Sequence, residues 1–236
     1  MRILAIDTAT EACSVALLQA PDAAAVPELL VRELEPGRGA SELILGMVRE
    51  VVAEAGLSLH ALDAIAFGRG PGGFTGVRLA TSVTQGLAYA AGLPVIPVSD
   101  LVAVAQRALD AAPDATAALV CNDARMREVY WTCCARDQGL ARCVLPERVG
   151  PPDTVALPDP APGPVVGAGR GFAAYPVLAE RLGPRLTGML PEFLPRAREI
   201  VRLAAVEFAA GRGLPPEQAQ PVYLRDDVAR PAASRS

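Results

Sequence analysis

The apolar positions of this chain fall into two kinds of run. Short continuous runs at residues 2–6, 13–18, 29–34, 64–67 and 94–98 predict buried strands. Longer segments, in which apolar residues return every three or four positions, predict helices over 41–55, 75–91 and 100–111. The polar stretch Asp7 to Ala12 makes the first two strands a hairpin. Ser41 is the expected cap of the first helix and Gly56 its stop. Hairpin strands followed by alternating helices and strands predict an α/β domain over residues 1–110.

Beyond residue 110 the pattern loosens, and fifteen of the 22 prolines lie after position 145. Residues 117–123 and 128–135 read as paired strands around a turn at 124–127, and 142–149 as a third. Residues 164–169 read as a strand running into a helix over 172–182. Pro195 opens a last helix, with Ile200, Leu203, Ala204 and Phe208 on its inner side and Gly211 at its end. The stretch 221–228 carries apolar anchors and is expected to dock, while 230–236 are expected to fray. Residues 111–236 thus form a second α/β domain with a docking tail.

One stretch organises the rest: Gly68-Arg69-Gly70-Pro71-Gly72-Gly73-Phe74-Thr75-Gly76-Val77-Arg78. It reads as strand, glycine-rich turn, helix. Five glycines within nine residues cost about 0.5–1 kcal/mol each in regular structure, so packing alone does not explain them. Two uses fit: a cradle for an anion at the helix N-terminus, or a backbone held close to another surface.

The helices on either side carry little polar surface. Over 75–91 the clearly hydrophilic positions are Arg78, Ser82, Gln85 and Tyr89, a stripe only about 60° wide. In the first helix Leu43, Ile44, Leu45, Met47, Val48, Val51, Val52 and Ala55 cover roughly 200°, whereas packing on a sheet needs about 100°. Either the two helices cover one another or a second chain covers them. Ile44, Met47, Val48 and Val51 on the first helix, and Gly76, Ala80, Val83, Thr84 and Leu87 on the second, are the candidate interface residues. Gly76, Ala80 and Thr84 form a small-residue row that admits a close neighbour.

Composition narrows the classes. The chain is 51% apolar and 20% charged, its net charge is −4, and all 22 basic residues are Arg. The charge and the absence of a basic run argue against a strong phosphate-backbone surface on this chain alone, and leave contact with RNA through a partner open. Five cysteines without a CxxC indicate reduced thiols and a cytoplasmic location. Cys133 and Cys134 point to opposite faces of one strand, and Cys121 and Cys143 read as core residues. Asp7 and Glu11 interrupt the N-terminal apolar run, which excludes a signal peptide, and no membrane span is expected.

Candidate chemistry is sparse. The hairpin offers Asp7 to position a metal-bound water, with Thr8, Thr10 and Ser14 as phosphate donors and Gly70, Gly72 and Gly73 alongside. The alternative is a polar turn satisfying its own backbone. The hairpin also carries Glu11, and a carboxylate about 5 Å from a phosphate charge costs about 3 kcal/mol at an effective dielectric near 20. Gly167-Ala168-Gly169-Arg170-Gly171 is a second glycine turn, read as a nucleotide contact or a tight helix entry. His60 is the one histidine, in a loop expected to be packed by Leu57, Leu59 and Leu62. It lacks partners for a metal centre or a Ser-His-Asp triad, so no metal and no catalytic residue is assigned.

Taken together, Ile6-Asp7-Thr8-Ala9-Thr10, the glycine stretch, Asp123-Ala124-Arg125, Glu128-Val129-Tyr130-Trp131 and Pro221-Val222-Tyr223-Leu224-Arg225 resemble the bacterial TsaB (YeaZ) family in order and spacing. The resemblance spans nearly the whole chain. It implies a two-domain actin-like ATPase (ASKHA) fold, with mixed sheets flanked by helices. It implies a role in forming N6-threonylcarbamoyladenosine at position 37 of tRNA, with catalysis by the paralogue TsaD and with the ATPase TsaE as a further partner. Homodimerisation and exchange for a TsaD heterodimer through the two helices are implied as well. No cofactor is expected on this chain alone; ATP or ADP at an interface shared in the complex stays open. Many family members have a His where this chain has Ala40, so that position receives no role. The rival classes are a small-molecule kinase or ATPase of the same fold, and a peptidase.

Overall fold

The computed structural model describes residues 1–20, 27–35 and 39–225. The N-terminal half contributes β1 (Arg2–Asp7), β2 (Cys13–Gln19), β3 (Glu28–Leu34), α1 (Ala40–Glu54), β4 (Ala64–Gly68), α2 (Phe74–Ala91), β5 (Val95–Val98) and α3 (Asp100–Ala111). The second half contributes β6 (Ala117–Asp123), β7 (Val129–Asp137), β8 (Leu140–Cys143), β9 (Arg148–Gly150), β10 (Val165–Ala168), α4 (Gly171–Ala174), α5 (Pro176–Leu182), β11 (Gly188–Leu190) and α6 (Ala197–Ala209).

Each half builds a mixed sheet on one plan. The first runs β3-β2-β1-β4-β5, antiparallel across the hairpins and parallel from β1 through β5. The second runs β8-β7-β6-β10-β11, with the same change from antiparallel to parallel, and β9 also pairs with β7. Strands β1, β4 and β6 are buried on both faces, which is why they read as continuous apolar runs rather than alternating ones.

On one face of the first sheet, Leu4, Ile6, Ile65 and Phe67 pack with Ile44, Met47, Val48 and Val51 of α1 and Ala80 of α2. On the other face, Ile3, Ala5 and Ala66 meet Ile200, Val201 and Ala204 of α6. The second sheet receives Leu101, Val104, Ala108 and Leu109 of α3 on one face, and Leu178 and Leu182 of α5 on the other. Helix α6, last in the chain, thus packs on the first sheet, while α3 packs on the second.

Several elements differ from the sequence reading. Helix α1 starts at Ala40 behind Gly39 (φ 92°), so Ser41 lies inside the first turn and makes no cap. The predicted strand 142–149 is two strands, β8 and β9, because Pro146 between them has no N–H for the ladder. The predicted helix 172–182 breaks into α4 and α5 at extended Tyr175, which precedes Pro176. Strand β11 had no signal; three residues are too few for a period. Cys143 is exposed on edge strand β8 rather than in the core, whereas Cys121 is buried. His60 is also exposed; Leu62 is buried, and Leu57 and Leu59 pack half-buried against the same core. The expectations for 226–236 lie outside the described residues.

Candidate functional site

The ends of β1 and β6 face each other across a cleft of 910 Å³, walled by the Thr8–Glu11 turn, the glycine turn, the Asn122–Arg125 turn and the tail. In the β1–β2 hairpin each candidate side chain meets backbone, Thr8 as a donor and Asp7, Thr10 and Ser14 as acceptors. Thr8 Oγ1 donates to the Gly76 carbonyl at 2.7 Å, and Asp7 Oδ1 accepts from the Ala9 N–H at 2.9 Å. Thr10 Oγ1 accepts from Ala12 N at 3.2 Å, and Ser14 Oγ from Ala197 N, at the start of α6, at 2.8 Å.

The glycines explain themselves against this hairpin. Gly73 N donates to the Ala9 carbonyl at 2.7 Å, and a Cβ on Gly72 would stand 2.6 Å from the same oxygen. A Cβ on Gly76 would collide with the Thr8 carbonyl. Gly70 (φ 96°) turns the chain where a Cβ would meet the Val222 carbonyl at 2.9 Å. The surface that the glycine turn approaches within the chain is therefore its own hairpin and tail. The second turn repeats the device: a Cβ on Gly169 or Gly171 would stand 2.6 Å from the Cys121 carbonyl at the end of β6.

Beneath the hairpin lies a feature with no signal in the sequence. The fully buried carboxyls of Asp7 and Asp100 meet side by side, and Asp100 also accepts from Gly70 N. Burial raises Asp7 from 3.8 to about 6, against the Ala9 N–H and the Arg196 charge, which lower it. Burial and then the Asp7 charge push Asp100 well above its usual range. Asp7 Oδ2 and Asp100 Oδ1 have no other partner, so a proton held on Asp100 satisfies the pair. Asp100 was legible only as the first residue of a helix.

Charged pairs span the two halves. Glu11 at the hairpin tip pairs with Arg170 of the second glycine turn, and Arg170 also approaches Glu35 at 3.6 Å. Arg69 of the first glycine turn holds Glu147 through two bonds of 3.2 and 3.1 Å. Residues 221–225 of the tail meet the rest of the chain. Val222 N donates to the Arg69 carbonyl at 2.7 Å, and Arg225 pairs with Glu128. Arg78 Nε donates to the Tyr223 hydroxyl at 2.7 Å while its guanidinium lies 3.6 Å from the Phe74 ring centre.

The nine interface candidates divide. Ile44, Met47, Val48, Val51, Ala80 and Thr84 are buried inside the chain, and of these Val48 also lines a groove open at the surface. Helical periodicity identifies an apolar face but not which part of a wide face the sheet takes. Gly76, Val83 and Leu87 are half-buried. What α1 and α2 present outward is Leu45, 54% exposed, and Tyr89, 78% exposed, beside a groove lined by Val52, Leu57, Leu59 and Leu87. Among the described residues no group of three or more His, Cys, Asp or Glu side chains converges as a metal site. Among them, too, no helix is long and apolar enough to cross a membrane.

Two copies of one strand order, opposed across a cleft with a hairpin and a glycine turn on each side, are the actin-like ATPase fold. Comparison with known proteins narrows this class. The chain is 42% identical over 231 residues to the tRNA threonylcarbamoyladenosine biosynthesis protein TsaB of Escherichia coli, covering 97% of this chain and 96% of that one. It is 39% identical to the protein of the same name from Haemophilus influenzae, covering 97% and 95%. A solved structure of YeaZ from Pseudomonas aeruginosa superposes with a TM-score of 0.83 at 42% identity, over 94% of this chain and 99% of that one. A second, an uncharacterised Pseudomonas aeruginosa protein described as similar to peptidase YeaZ, gives 0.86 at 45%, over 95% and 99%. Residues 35–151 also match the family model of TsaD, tRNA N6-adenosine threonylcarbamoyltransferase. The chain belongs to the TsaB family.

Proposed function

We propose that this component of tRNA threonylcarbamoyladenosine biosynthesis is a non-catalytic scaffold, acting in the cytoplasm, that supports transfer by the paralogue TsaD. The observation that carries the reading is the state of the β1–β2 hairpin. Where an actin-like ATPase holds phosphates, Thr8 gives its hydroxyl proton to the Gly76 carbonyl, Thr10 and Ser14 accept from backbone N–H groups, and Glu11 stands at the tip paired with Arg170. A nucleotide phosphate entering there would meet the Glu11 carboxylate and displace that pair. In this reading any ATP or ADP binds at an interface shared with a partner rather than on this chain alone.

The outer strip of α1 and α2, with Leu45, Tyr89 and the groove beside Leu87, supports an association surface. In this reading the chain forms a homodimer alone and exchanges that contact for TsaD, TsaE joins the pair, and tRNA is reached through the complex. Light scattering of the chain with and without TsaD, together with reconstituted tRNA modification lacking each component in turn, tests it. Modification at full rate without this chain would overturn the scaffold role.

The rival reading, a small-molecule kinase or ATPase, draws on the cleft of 910 Å³. Isothermal titration with ATP and magnesium separates the two. Micromolar binding with turnover by the isolated chain would establish the rival.

A further inference from the structure

Strands β7 and β8 place Cys134 directly opposite Cys143, with the two sulfurs 3.3 Å apart. Val144 N donates to the Cys133 carbonyl at 2.8 Å, which makes the adjoining positions the hydrogen-bonded pair and leaves 134 and 143 a non-hydrogen-bonded one. At such positions Cα atoms lie about 4.5 Å apart, inside the range of roughly 4.4–6.8 Å that a disulfide spans. The two thiols also differ in kind. Cys134 is buried under α3, while Cys143 is exposed on the sheet edge.

We propose that Cys134 and Cys143 form a reversible dithiol–disulfide site that reacts with hydrogen peroxide and is restored by a dithiol reductant. Cys143 is the attacking sulfur. Its thiol is lowered to about 7 by the hydrogen bond from Cys134, with help from the Thr132 hydroxyl, 3.7 Å from its sulfur, and the Arg69 charge. That shift favours the thiolate, the form that attacks. Cys134 is pushed far up by the same contact and by burial, so it keeps its proton and gives it to that bond. The other three cysteines are buried, and burial raises Cys13 to about 11 and Cys133 to about 12, with Cys121 higher still. They stay thiols and are shielded.

The chemistry balances in two steps. The Cys143 thiolate attacks one peroxide oxygen; the S–O bond forms, the O–O bond breaks, and hydroxide leaves and takes a proton to become water. The sulfur is oxidised by two electrons to a sulfenic acid and the peroxide is reduced. Cys134 then attacks the sulfenic sulfur; the S–S bond forms, the S–O bond breaks, and the hydroxyl departs as water with the Cys134 proton. Each turn consumes two thiols and one peroxide and releases two waters. A dithiol reverses it by exchange.

The test treats the reduced full-length protein with hydrogen peroxide at pH 7, then counts thiols after denaturation and maps peptides by mass spectrometry. Wild type should lose two of its five free thiols, yield a linked peptide joining 134 to 143, and recover both with dithiothreitol. Cys143→Ser should lose none under the same exposure, and Cys133→Ser should behave like wild type. Cys134→Ser should stop at a sulfenic acid on Cys143, trapped by dimedone. A link between Cys143 residues of two chains, a wild-type Cys143 that passes to the sulfinic acid without a link, or no loss of thiols would each overturn the assignment.

Discussion

The Gly76 carbonyl accepts a bond of 2.7 Å from the Thr8 hydroxyl, while the Gly76 Cα lies so near the Thr8 carbonyl that a side chain there has no room. The first turn of α2 is thereby seated on the end of β1. The close approach, rather than any bound anion, accounts for the glycine.

Substitution should separate glycines that hold this seat from glycines that do not. Gly76→Ala should cost about 1–3 kcal/mol by forcing α2 off the hairpin backbone. Gly46 and Gly86, inside α1 and α2 with nothing within 4 Å of a Cβ, should gain about 0.5–1 kcal/mol on replacement by Ala. Urea unfolding of the three variants checks the sign. A neutral Gly76→Ala would mean that the seat is soft.

Stability should fall as pH rises through the weakly acidic range. Asp7 rises from 3.8 to about 6, and burial takes Glu199 from 4.5 to about 7. Both acids bind protons more tightly folded than unfolded. Their contribution is complete below their unfolded values and is lost as pH climbs through 6 and 7. The double variant Asp7→Asn, Glu199→Gln should show a flatter urea midpoint between these limits than wild type. A wild-type midpoint that rises more steeply than the variant's over that window would contradict the assignment.

The helix surface should respond according to which side is changed. Leu45→Arg, on an exposed position, should leave unfolding within about 0.5 kcal/mol of wild type. It should weaken self-association or TsaD binding at least about 10-fold in sedimentation. Ala80→Arg places a charge in the core and should unfold the protein. Unchanged association of Leu45→Arg would remove this strip from the interface.

The tail should behave as part of the fold. Tyr223→Ala removes the acceptor for Arg78, and Arg225→Ala the partner of Glu128; each should cost about 1 kcal/mol. Differential scanning calorimetry of both variants measures it, and an unchanged Tm in both would show the tail to be dispensable.

The buried strands of the first sheet, the helices over 75–91 and 100–111, and the glycine turn were legible because burial on two faces and a 3.6-residue period leave local marks. The same locality hid the proton-sharing contact of Asp7 with Asp100, 93 positions apart, and the pairing of Glu11 with Arg170. It also could not say that the sheet takes Ile44 and Val51 while Leu45 is left outside. By itself the sequence determined the alternation of elements, the presence of a glycine turn that packing alone does not explain, and the family. Tertiary structure decided which surface those glycines touch, which acids are buried together and which side of α1 faces water, because each depends on two segments meeting in space rather than on either one's own pattern.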